Sequence, residues 1–127
     1  MKNNSSQGLL SKLWTGFTDS LIDECLEADL RHPGSDAEEG EISFYRHSKG
    51  FHSFLIELPG SLDLPSGAGL SVFVDDERLR DLVYEGEKIR LRVSSRDESS
   101  LPEARVGDVA EVRHGDDVLL SGVFEED

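Results

Sequence analysis

Ser71-Val-Phe-Val-Asp-Asp-Glu-Arg-Leu-Arg-Asp-Leu-Val-Tyr-Glu85 and Val109-Ala-Glu-Val-Arg-His-Gly-Asp-Asp-Val-Leu-Leu-Ser-Gly-Val-Phe-Glu125 read as two versions of one hairpin. In each, an alternating apolar strand runs into a charged turn, and a second apolar strand ends in Val-aromatic-Glu. The later copy is about two residues longer, an excess that the reading places in its turn. A period of two puts one side of a strand on a core and the other in water, so both segments argue for half-buried β structure.

Outward from these hairpins the same period recurs. Lys88 to Val93 is the cleanest strand, with Ile89, Leu91 and Val93 facing in and Lys88, Arg90 and Arg92 facing out. Glu41 to His47 alternates through Ile42 and Phe44. Ser48-Lys49-Gly50 supplies a turn, and Phe51 to Leu58 returns with Phe54, Ile56 and Leu58 on one face. Pro59-Gly60 and Pro65-Ser66-Gly67 bracket a loop in which Leu62 and Leu64 form a short edge segment. The expected β domain spans residues 41–127. Its class is mainly β, a small antiparallel sandwich or barrel of about seven strands.

The N-terminal third reads differently. Residues 1–8 are small and polar and are expected to form a mobile tail. Over 9–32 the apolar residues Leu10, Leu13, Trp14, Phe17, Leu21, Cys25 and Ala28 recur at spacings of three and four, which predicts an N-terminal amphipathic helix. Gly16 would weaken it, and Thr18 or Asp19 could cap a restart, so two shorter helices also fit. His32-Pro33-Gly34 ends it, and residues 33–40 read as an acidic linker.

Composition narrows function more than it names it. The chain has 127 residues, 36% of them hydrophobic and 31% charged, which suits one core with a strongly solvated exterior. Twenty-seven acids against 13 Lys and Arg give a net charge of -14, which disfavours direct binding to nucleic acid or anionic lipid. No apolar stretch is long enough to span a bilayer, and no secretion-signal pattern opens the sequence, so a cytoplasmic location is expected. One cysteine, Cys25, makes no internal disulfide and reads as a core or interface thiol.

Chemical motifs are sparse. His47 and His52 flank a turn but lack the further ligands of a zinc site. Asp75-Asp76-Glu77 and Asp116-Asp117 lack the alternation of a calcium loop. No nucleophile-base signature or phosphate-binding glycine loop is present, so neither catalysis nor a cofactor or metal is expected. Lys88, Arg90, Arg92 and Arg96 form a basic stripe without interleaved aromatics, which reads as cross-strand pairing with acids such as Glu111 rather than a strand-binding site. The leading expectation is a protein–protein interaction module, an adaptor or assembly subunit. Its partner, or a second copy, meets Leu10, Leu13, Trp14, Phe17 and Leu21. The alternative expectation uses the acids to imitate nucleic acid and inhibit a protein that binds it.

Overall fold

A computed structural model describes residues 21–127. Nine strands form one antiparallel sheet: β1 Ile22–Arg31, β2 Glu38–His47, β3 His52–Leu58, β4 Ala68–Val74, β5 Glu77–Tyr84, β6 Ile89–Ser94, β7 Val109–His114, β8 Asp117–Val123 and β9 Glu125–Glu126. Their order is β5-β4-β7-β8-β1-β2-β3-β6, with β9 pairing on β1. Among the described residues the sheet is nearly closed into a barrel, and the strand order ends at the consecutive strands β5 and β6. All seven strands expected from the sequence are present.

The first strand is a correction. Ile22–Arg31, the second half of the expected helix, is β1, and it pairs with β2 from Ile22↔His47 to Arg31↔Glu38. The apolar positions Leu26, Ala28 and Leu30 keep a period of two while Leu21, Cys25 and Ala28 keep a helical spacing, and a full-length ladder with β2 decides between them. His32-Pro33-Gly34 therefore turns a hairpin instead of ending a helix, with Gly34 at φ +80° and Ser35 N–H donating to the His32 carbonyl at 3.0 Å. The expected linker is shorter too, since Glu38–Gly40 already belong to β2, and the β unit begins at Ile22 rather than at residue 41. The first half of the expected helix, with Leu10, Leu13, Trp14 and Phe17, lies outside the described residues.

The two related hairpins are closer relatives than their sequences imply. Both turns hold two residues, Asp75-Asp76 and Gly115-Asp116, so the later copy's extra length is not in its turn. Asp75 and Asp76 both have positive φ, 49° and 66°, the geometry that matches the twist of flanking strands. Each hairpin carries a register shift at the same place, Val72/Phe73 and Val112/Arg113. The hairpins then pair with each other through β4 and β7, where Val72 opposes its counterpart Val112.

Inward side chains fill the barrel. Leu26, Ile42, Phe44, Phe54, Ile56, Leu70, Val72, Val112, Leu120 and Phe124 are all fully buried, and each large one stabilises the fold by about 1.5–3 kcal/mol. Phe54 packs edge-on against Phe124, with ring centroids 6.4 Å apart, tying β3 to the segment after β8. Loop residues complete the core at the open seam. Leu62 is not in a strand; it is buried, and its N–H donates to the Tyr84 hydroxyl at 2.9 Å. At the junction of β1 and β8, a Cβ on Gly122 would stand 2.2 Å from the Asp29 carbonyl oxygen, so the close approach there requires glycine.

Candidate functional site

The outer face of β1, β2, β3 and β6 is unlike the outside of an ordinary sheet. Cross-strand registers arrange its side chains in rows: Asp29, Glu41, Glu57 and Arg90; then Glu27, Ser43, Leu55 and Arg92; then Cys25, Tyr45, Ser53 and Ser94; and finally Ile22 beside His47. Charge runs across the face from acids on β1 to arginines on β6. The centre is neither charged nor exposed. Ser43 and Tyr45 are 0% exposed, Ser53 1%, and Leu55 and His47 2%. Tyr45 and Leu55 form a cluster separate from the barrel core, with Ile22 and Cys25 packed against them.

Polar contacts fix the lower rows. His47 Nε2 lies 3.0 Å from Ser53 Oγ, and its ring stacks on Phe51 at 4.0 Å with the planes 8° apart. The Arg96 guanidinium sits 3.7 Å from the centre of the Phe51 ring, a cation–π contact at the basic corner. Cys25 Sγ donates to Asp127 Oδ2 at 3.5 Å, and Asp127 N–H donates to the Cys25 carbonyl, so the chain's last residues edge this face. The Arg46 guanidinium bonds Glu24 and Glu103 at its rim and holds the Glu103 carboxyl below its ordinary value.

The acidic corner stores a proton. Glu27, Asp29 and Glu38 bring one carboxylate oxygen each within 4.8 Å of one another. Burial, then the charge of Glu41 and a hydrogen bond to Asp29, push Glu27 up from 4.5 to about 8. Glu38 is raised as well, first by its own hydrogen bond to Asp29. Close carboxylates cannot all ionise cheaply, so Glu27 holds its proton and donates toward Asp29. The same oxygens are of the type a hard divalent cation takes, but such ions take six or more ligands. The sequence reading missed this corner because it assigned Glu27 and Asp29 to a helix and Glu38 to a linker.

Other expected features fall as follows. His47 points to the outer face, whereas His52 Nε2 meets the Leu101 and Pro102 carbonyls at 3.1 and 2.9 Å, so the hairpin does not bring the two rings together as ligands. Asp76 pairs with Arg113 at 2.6 Å. In the basic stripe, Ile89 and Leu91 pack on the core with Val93, as expected, and Arg90 pairs across to Glu57 at 3.5 Å. Glu111, the acid suggested for that stripe, instead pairs with Arg113. Of the expected partner-binding residues, Leu21 is described and is 75% exposed, at the lower corner of the face; Ser48 N–H donates to its carbonyl at 2.9 Å. Leu10, Leu13, Trp14 and Phe17 lie outside the described residues.

The buried centre itself left a sequence signal. Phe54-Leu55-Ile56 and Phe44-Tyr45 break the strict alternation of β2 and β3, and consecutive apolar residues in a strand mark burial on both faces. Among the described residues no helix is long and apolar enough to cross a membrane. Comparison with known proteins finds no matching family model, no matching curated protein and no matching solved structure.

Proposed function

We propose that this protein is a non-catalytic protein–protein interaction module, an adaptor or assembly subunit. It works through two complementary apolar surfaces, the stripe Leu10, Leu13, Trp14, Phe17 and Leu21 and the outer face of β1, β2, β3 and β6. The observation that carries this reading is Tyr45. It is a large aromatic on the outside of a barrel, yet none of its surface reaches water. Sheet neighbours shield one another's flanks and leave their tips free, and the residues beside Tyr45, Cys25 and Ser53, are both smaller than it. A face that excludes water at its centre and carries charges at its rim has the anatomy of a protein-docking surface.

The stripe supplies the matching half. Burying a tryptophan and a phenylalanine is worth several kcal/mol, and the anchors of such a segment usually carry most of its binding energy. An affinity pull-down with the full chain at two ionic strengths tests the reading. Wild type retains a partner, or a second copy, at the higher salt, and the Trp14→Ser/Phe17→Ser variant loses it at both. A partner that dissociates steeply as salt rises and ignores the double substitution supports acidic mimicry of nucleic acid instead.

A further inference from the structure

We infer that the outer face of β1, β2, β3 and β6 is the docking site of this chain's own residues 9–20. This rests on the reading of the chain as an interaction module and names the occupant of its face. Three observations select the occupant. The face is covered at its centre, where Ser43, Tyr45, Ser53 and Leu55 are at most 2% exposed, and Tyr45 stands taller than its cross-strand neighbours.

The chain also enters the described fold at the edge of this face. Leu21 is held by Ser48 N–H, and Ile22 opposite His47 belongs to the lowest row, so the preceding residues are tethered beside the buried rows. A tethered segment meets its site at an effective concentration in the millimolar range, well above that of a free partner. Finally, the sizes and chemistry agree. Four strands span about 14 Å and twelve helical residues about 18 Å, so 9–20 crosses the face whether helical or extended. Its apolar residues Leu10, Leu13, Trp14 and Phe17 match the Tyr45, Leu55, Ile22 and Cys25 patch in chemistry, and Lys12 is opposite in charge to the acids of β1.

Trp14 is the only tryptophan, so its fluorescence in the full chain reports the docking directly. We expect a blue-shifted emission and weak acrylamide quenching in dilute wild type. In Leu55→Glu the emission shifts red and quenching rises several-fold, while Val83→Glu on the opposite half leaves both unchanged. If Leu55→Glu does not unfold cooperatively, the reactivity of Cys25 toward a thiol reagent replaces it, and it rises several-fold in Trp14→Ser/Phe17→Ser.

Three results overturn the inference. One is an exposed Trp14 in dilute wild type. Another is a Trp14 that stays shielded in folded Leu55→Glu, or, in the fallback, a Cys25 reactivity unchanged by the double substitution. The third is shielding lost on dilution together with a dimer seen by light scattering, which assigns the face to a second copy. An exposed Trp14 with a pull-down that still depends on Trp14 and Phe17 defeats self-docking alone. Loss of that dependence with Trp14 still shielded defeats the module reading alone.

Discussion

On β5, β4, β7 and β8 the outward side chains behave as the outside of a small barrel should. Val83 is 61% exposed and Val123 48%, Ser71 Oγ donates to Asp81, and Arg113 bonds Glu111 and Asp76 while lying 4.0 Å from the Phe73 ring centre. On β1, β2, β3 and β6 the charged outward residues keep to the edges, and the central positions Ser43, Tyr45, Ser53 and Leu55 are closed to water. The inner faces of both halves are apolar and buried, Leu, Val, Ala and Tyr on the first and Leu, Ile, Phe, Ala and Val on the second. The difference is therefore not a demand of the barrel. It is a second patch of burial confined to one half, where Ser43, Tyr45, Ser53 and Leu55 are closed to water.

The joint between the halves offers the largest effect. Gly122 lets β8 approach β1, and the atom its Cβ would strike is the Asp29 carbonyl oxygen, a backbone group that cannot swing aside. Gly122→Ala is expected to cost about 3 kcal/mol or more, at the upper end of overpacking effects, in urea unfolding monitored by circular dichroism. A loss below about 1 kcal/mol would mean that the halves are joined more loosely than the β1–β8 contact implies.

Next comes a direct test of the two outer faces. Tyr45 and Phe73 are both outward aromatics, one in each half, and only Tyr45 is fully buried. Tyr45→Ala should cost about 3 kcal/mol or more, the usual loss for a buried aromatic. Phe73→Ala should cost about 1 kcal/mol, because Phe73 is only partly buried, with Arg78 and Arg113 over its ring. Equal losses would erase the distinction between the faces.

The acidic corner of the covered half gives a smaller, pH-dependent effect. Folding lifts Glu27 from 4.5 to about 8, chiefly through burial and then through Glu41, Asp29 and Asp127. The protonated form is therefore the one the fold prefers. Its contribution to stability is full below about pH 4.5 and drains away as pH rises through about 8. Glu27→Gln, which keeps the shape and removes the titration, should match wild type near pH 4 and melt at a higher temperature near pH 8.5. A gain that is the same at both values would show that Glu27 is not protonated in the fold.

Most of the barrel was legible because seven strands keep a period of two on their inward face and their turns carry Asp and Gly. The exception is instructive. In β1, Leu26, Ala28 and Leu30 keep a period of two, but Leu21, Cys25 and Ala28 also line up at helical spacing behind a convincing stripe from Leu10 to Phe17. Ten residues of local pattern cannot decide between those periods, and the pairing partner that does decide lies across a turn. The candidate face suffered from the same error. Two of its acids belong to β1, so misreading that strand separated Glu27 and Asp29, in an expected helix, from Glu38, in an expected linker.

The smallest effect marks where the cover ends. Arg90 lies at the far edge of the face, 53% exposed at its side chain, 3.5 Å from Glu57, with Glu41 and Asp29 continuing the row behind it. An exposed pair of this kind is worth a few tenths of a kcal/mol, since water screens the attraction and two long side chains must be held still. Arg90→Ala should change stability by no more than about 0.5 kcal/mol, and added salt should reduce even that. Its neighbour Arg92 stands one row closer to Leu55, so the same substitution there should cost more. If Arg90→Ala costs about 2 kcal/mol instead, the pair is desolvated, and the covered zone reaches across β6 to the edge of the sheet.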